Sequence, residues 1–284
     1  MDGGNMGTSQ DLSVYQTALA EQEEPRGSLK MNLQRDLPLL LTVRNATFIS
    51  HEQLLRIQIE AGLEHNPRCF HWRVKRFVDT GLIRSLGAVP PFIGRVYTIS
   101  RLGLGVLESY GEGLLTISSS SQHLPSVIQA PHFLELNEIR RALKETGKLL
   151  KWKWEREITS LNYVIGAPLV KEYDAVAELD LGGEPYRIAI EYERTLKASA
   201  RYQDIQKAIR EEGGVDMILY LTATVDQVFS LAGEFGKPGI PMCFASSRKF
   251  QALKFSVLCL YAFGAMRETF SMNEALSISL PLRD

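Results

Sequence analysis

Four acidic residues between positions 138 and 193 stand where carboxylates could act together. Asp174 lies near the start of one strand-like run, Tyr173 to Leu181, and Glu191 and Glu193 close the next, Tyr186 to Glu193. Gly182-Gly183 between them supplies the turn of a β-hairpin. Side chains alternate with period two along a strand, so Glu191 and Glu193 share a face, to which the hairpin brings Asp174. Glu138, in the helically spaced run from Pro131 to Leu143, can join them from a preceding helix. Carboxylates gathered on one face repel unless a cation sits between them, and hard oxygen donors suit Mg²⁺. Asp174 and Glu191 are the expected metal ligands, and an ion held there can stabilise an in-line phosphodiester displacement. The competing arrangement makes Asp174, Glu178 and Asp180 the solvent face of a hairpin. Glu191 and Glu193 are then simply paired to Arg187, Arg194 or Lys197.

The elements that must hold these residues can be traced by the same periodicities. Trp152 to Ile158 alternates as a strand with both tryptophans on one face, which fits core residues better than base-stacking platforms. After the hairpin come a helix from Leu196 to Glu212, an apolar strand from Met217 to Thr222, a helix from Val225 to Phe235 and a strand from Met242 to Ala245. The order α-β-β-β-α-β-α-β predicts a three-layer α/β arrangement, with helices covering a mixed sheet. Beyond Phe250 a packing helix and a short strand are expected.

The first half reads differently. Ser50 with Gln53 forms a capping box ahead of Leu54, Leu55, Ile57 and Ile59, and Gly62 ends that helix. Asn66-Pro67 opens a second helix whose stripe is Phe70, Val74, Phe77 and Val78. A turn over 87–91, a strand over Arg95 to Ile99 and a short helix over Leu102 to Leu107 follow. Between Pro67 and Arg101 the chain carries Arg68, Arg73, Lys75, Arg76, Arg84, Arg95 and Arg101 against a single acid, Asp79. Arg68, Arg73, Lys75 and Arg76 on the helix, with Arg95 on the following strand, are the expected DNA contacts, because cations there neutralise phosphates. The same charge would also suit an acidic protein partner. His71 and Trp72 read as packing residues or phosphate donors.

That ordered set resembles a winged helix-turn-helix. Further along, His132 through Glu138, Trp154-Glu155, Tyr173-Asp174-Ala175 and Ile190 through Thr195 resemble the PD-(D/E)XK nuclease superfamily. Together they look more narrowly like the plasmid replication-relaxation family, over about residues 45–225. The resemblance implies a multi-domain α/β protein: an N-terminal winged helix-turn-helix, then a three-layer α/β PD-(D/E)XK-like domain with a mixed sheet. It implies docking on double-stranded DNA, Mg²⁺-dependent endonuclease chemistry at Glu138, Asp174, Glu191 and Glu193, and a relaxase or replication protein as partner. The chain departs from the nuclease pattern at Glu193, which stands where that pattern has lysine. Arg194 is too basic to act as a base; Lys197 or Lys207 from the next helix is the expected substitute. Either the lysine has migrated, or the site binds metal or DNA without cutting, or it is inert. The alternative function is a non-catalytic transcriptional or replication regulator whose C-terminal domain dimerises or recruits a partner.

Composition bounds these readings without choosing among them. The 284 residues are 45% apolar and 23% charged, with a net charge of -1. Cys69, Cys243 and Cys259 are too far apart for a metal finger and read as free thiols. The N-terminus lacks a secretory pattern, and the longest apolar stretch, Phe255 to Met266, is too short to span a bilayer. A cytoplasmic protein away from membranes is expected, with a homodimer as a further expectation. The predicted division is a disordered tail over 1–40, a winged helix over 44–112, a linker over 113–130 marked by its serine run, and the α/β domain over 131–284. Ser199, Ser246 and Ser247 lack nucleophile-elbow surroundings, and no P-loop pattern occurs.

Overall fold

Apolar spacing and capping decide the first elements. In the computed structural model, which describes residues 31–283 apart from 88, 90, 91, 93, 122–124, 165 and 167, the chain enters through helix α1 (Asp36–Asn45). The tail expected over 1–40 therefore ends sooner than its composition suggests. Leu39, Leu40 and Val43 are fully buried and fix α1 as part of the first core; residues 1–30 of the expected tail lie outside the described residues. A two-residue strand β1 (Ile49–Ser50) leads into α2 (His51–Glu60), where the Ser50 and Gln53 capping box forms as expected. The Asn66 side chain caps α3 (Pro67–Asp79), with Pro67 in its first turn.

Strands β2 (Ile83–Ser85) and β3 (Val96–Ile99) join β1 in a three-stranded antiparallel sheet of order β1-β3-β2. Part of the turn between β2 and β3 falls outside the described residues. Helix α4 (Arg101–Ser109) closes this unit, and Gly103 permits its approach: a Cβ there would stand 2.2 Å from the Leu82 carbonyl oxygen. Part of the expected linker, residues 122–124, lies outside the described residues. Ser119 is held by Glu108 through its backbone N–H at 2.7 Å, and Ile117 is buried.

The second unit is a mixed seven-stranded sheet of order β10-β9-β8-β7-β6-β5-β4. Its strands are β4 (Leu149–Trp154), β5 (Ala175–Leu179), β6 (Tyr186–Glu193), β7 (Met217–Thr222), β8 (Met242–Ser246), β9 (Leu258–Phe263) and β10 (Met266–Ser271). β6, β7 and β8 run parallel and every other pairing is antiparallel. Alternation sorts the faces: Ala175, Ala177, Ile188 and Ile190 enter one core, and Val176 and Ala189 the other. Helices α5 (Ala130–Glu145), α9 (Ser247–Leu253) and α10 (Met272–Ser279) cover the first face. Helices α6 (Glu155–Val164), α7 (Ser199–Ile209) and α8 (Val225–Glu234) cover the second. The fold is thus mixed α/β, with helices on both faces of the sheet.

Two expectations need correction. The alternation read from Trp152 to Ile158 stops at Trp154, and α6 begins at the next residue. There Ile158 is buried by helical packing, so a period-two pattern continued by accident into a helix. Beyond Phe250 the chain forms the two strands of the β9–β10 hairpin, where one short strand was expected, before the packing helix α10. Among the described residues no helix is long and apolar enough to cross a membrane.

Candidate functional site

The hairpin geometry brings Asp174 and Glu191 together. Ala175 pairs with Ile190, so Asp174 and Glu191 flank that register at the same end of the β5–β6 hairpin. Asp174 is anchored from two sides. The Tyr192 backbone N–H donates to its Oδ2 at 2.7 Å, and His132 Nε2 from the first turn of α5 lies 3.4 Å from its Oδ1. The His132 ring stacks on Tyr192 at 5.6 Å, which fixes its orientation. Burial works against the charge on Asp174, but His132 and the Tyr192 N–H outweigh it and hold the carboxyl below its ordinary range. The same contact, joined by Glu155 and Glu191, raises the His132 pKa against its burial.

Glu191 behaves in the opposite way. It is only 6% exposed, and its Oε1 accepts a short hydrogen bond from Lys171 Nζ. Lys171 is steadied by the Tyr173 ring, 4.6 Å from the ammonium to the centroid. Burial and repulsion from Asp174 nevertheless exceed the attraction of Lys171, and the Glu191 carboxyl is pushed up to about 7. The Glu155 carboxyl is also raised, first by burial and then by Asp174; its backbone N–H donates to the Asp174 carbonyl at 3.1 Å. Glu155 lines a cleft of about 360 Å³ together with Thr47, Ile117, Phe133 and Arg156, where the two units meet.

Other expected members are placed differently. Glu193 lies on the Glu191 face but is ion-paired to Lys197, one of the pairings the sequence left open. Lys207 is exposed on α7. Glu138 is turned away from the hairpin acids, about 120° round the α5 axis from His132. Its Oε1 accepts from Gln53 Nε2 at 2.8 Å, its Oε2 accepts from Arg141 Nε at 2.6 Å, and Arg56 lies 3.7 Å away. It serves the junction between α2 and α5, where Asn137 also donates to the Phe48 carbonyl at 3.0 Å. Helical spacing alone cannot say which side of α5 meets the sheet. Glu135 is the α5 acid that turns toward α9, accepting from Ser247 Oγ at 2.8 Å and from Gln251 Nε2 at 2.6 Å.

The basic helix divides similarly. Arg68 and Arg95 are exposed, Lys75 pairs with Asp79 at 2.5 Å, and Arg76 reaches Asp36 at 2.5 Å while staying 43% exposed. Arg73 is turned inward, 3.0 Å from Glu64 and 3.5 Å from Asp36. It holds the helices together and does not belong to the exposed face. Trp72 is 62% exposed, contrary to its reading as a packing residue, and stands among the cations of α3. Lys171 is a site member that the sequence did not single out, and His132 and Glu155 entered only within segments that carry the resemblance. Lys171 lies in a loop with no periodicity, and only tertiary proximity joins it to Glu191.

Among the described residues, no group of three or more His, Cys, Asp or Glu side chains is arranged to hold a metal ion. The donor chemistry of Asp174 and Glu191 still fits Mg²⁺, which needs one or two protein carboxylates and completes its shell with water and substrate phosphate. Lys171 supplies the positive charge that this pair calls for. Comparison with known proteins finds no matching family model, no significantly similar curated protein and no significantly similar solved structure.

Proposed function

We propose that the chain docks on double-stranded DNA through a winged helix formed by α2, α3 and the β2–β3 wing, and presents a PD-(D/E)XK-like phosphodiester site to it. The observation that carries this reading is the meeting of Asp174, Glu191 and Lys171 at one end of the β5–β6 hairpin. An acid pair and an ammonium are the groups that a phosphodiesterase of this kind requires, and Lys171 stands in for the lysine missing at Glu193. The order α5, β4, α6, β5, β6, α7, β7, with β6 and β7 parallel, is compatible with that architecture if α6 is taken as an insertion between β4 and β5. A function of the plasmid or mobile-element replication-relaxation type follows from the combination.

In this reading Asp174 and Glu191 hold Mg²⁺, which when bound supplies positive charge for the phosphoryl oxygens during displacement. The chain's own groups do the positioning. His132 and the Tyr192 N–H fix the Asp174 carboxylate, and Lys171 Nζ both orients Glu191 and offers a cation to a phosphate oxygen. Because Glu191 ionises near neutrality, the pair carries one charge or two in that range, and a cation favours two.

A second reading rests on the fact that each carboxylate already has a protein partner, Lys171 or His132. The site is then degenerate, and the protein is a non-catalytic regulator whose sheet domain binds a partner or a second copy. Supercoiled plasmid incubated with Mg²⁺ or Mn²⁺ separates the two. Nicking that is lost in D174A/E191A and in K171M, while those variants still retard DNA, supports the enzyme. Plasmid retarded but intact with the wild type leaves the regulator, and plasmid that is never retarded removes both.

A further inference from the structure

The parallel strands end in a row that leads away from the acid pair. Glu193 is in register with Thr222, and Thr222 with Ser246. At the usual strand spacing this row from β6 to β8 spans about 10 Å. Immediately after it, between the β7–α8 turn and α9, opens a cleft of about 610 Å³. Arg248 and Lys249 line one side of it, and Val225 and Leu253 are among its apolar wall residues. The β6–α7 loop is tied to the same region, because Gln227 Nε2 in the first turn of α8 donates to the Arg194 carbonyl at 3.2 Å.

The charge state of these residues distinguishes them from their neighbours. Lys197 is paired with Glu193, and Lys254 with Glu145. Arg194, Arg248 and Lys249 are exposed, and none has an ion pair among the described residues. Asp226 lies in the first turn of α8 but does not line the cleft. Cations without acids beside exposed apolar side chains (Val225 at 39% and Leu253 at 52%) match a polymer with anionic groups joined by apolar rings. A deoxyribose-phosphate backbone has that alternation, whereas a free anion would leave the apolar wall unused.

The geometry points to this cleft as a second DNA-backbone contact, in which Arg248, Lys249 and Arg194 hold phosphates of the strand presented to Asp174 and Glu191. The inference rests on the proposed DNA docking and adds a second backbone contact beyond the acids, along the row from Glu193 to Ser246. Fluorescence anisotropy of the full chain on a labelled duplex, across a NaCl series, tests it. Each phosphate contact contributes about 0.9 to the slope of log K against log salt. R248A/K249A is therefore expected to lower the slope by about 2, and R248E/K249E by at least as much. Both residues are exposed, so the thermal midpoint serves as the check that the variants are folded.

R68A/K75A, on α3, is the parallel control and is expected to lower the slope independently. If that control responds while R248A/K249A keeps the wild-type slope, the cleft proposal is overturned and the docking reading stands. The cleft proposal is equally overturned if the cleft variants lose only the binding of an acidic polypeptide. If the wild type does not bind duplex DNA at any salt concentration, both fall.

Discussion

Replacing Glu191 by glutamine should stabilise the protein at alkaline pH, a direction opposite to that of most substitutions of buried residues. The folded-state pKa of Glu191 is raised from 4.5 to about 7, chiefly by burial, with Asp174 adding repulsion. The folded protein therefore binds the Glu191 proton more tightly than the unfolded chain does. Below about pH 4.5 both states are protonated and there is no penalty. As pH rises through the window from 4.5 to 7, the unfolded chain releases its proton first and stability is lost. A shift of about 2.5 pH units corresponds to about 3 kcal/mol, fully felt near pH 8 and below about 1 kcal/mol at pH 5. Glutamine keeps the shape and resembles the protonated acid, so Lys171 is left in the surroundings it already meets at low pH. Urea unfolding of wild type and E191Q at pH 5 and pH 8, in chelating buffer, reads the difference. E191Q should gain up to about 3 kcal/mol at pH 8 and little at pH 5. Equal or lower stability of E191Q at pH 8, or a gain that does not change with pH, would refute the account of a strained carboxylate pair.

Three further variants test where the structure departs from the sequence. R73A should cost about 1.5 to 3 kcal/mol in denaturant unfolding, because Asp36 and Glu64 would lose the buried cation between them while keeping Arg76 and Arg35. R68A should leave the unfolding midpoint unchanged and weaken DNA retardation, since Arg68 is exposed; the reverse pattern would return Arg73 to the DNA face. E138A should cost about 1.5 to 3 kcal/mol through its lost hydrogen bonds to Gln53 and Arg141. Plasmid cleavage per folded molecule should persist in that variant, and its abolition would put Glu138 back among the acids of the site.

Much of the architecture is determined by patterns a few residues long. The capping box at Ser50, the Asn66-Pro67 start of α3 and the Gly182-Gly183 turn are local, and each forms where the sequence places it. The period-two alternation of Tyr186 to Glu193 fixes which residues face which core, and with it the shared face of Glu191 and Glu193. The hairpin then brings Asp174 beside Glu191. Such features are legible because hydrogen-bond geometry and side-chain direction repeat over distances the sequence itself spans.

What tertiary packing decided is which partner each of those side chains meets. Helical spacing made Glu138 eligible for the acid group, but α5 is wedged between the sheet and α2, and its rotation gives Glu138 to Gln53 and His132 to Asp174. Charge counting placed Arg73 with its basic neighbours, yet the packing of α1 against α3 puts Asp36 beside it. α1 was itself hidden by the low-complexity residues that precede it. Lys171 reaches Glu191 across a separation of 20 residues, from a loop that carries no period to read. A sequence specifies the faces of its elements through local repeats. The rotation of one element against another is set by the whole core at once, and the composition of a site depends on that rotation.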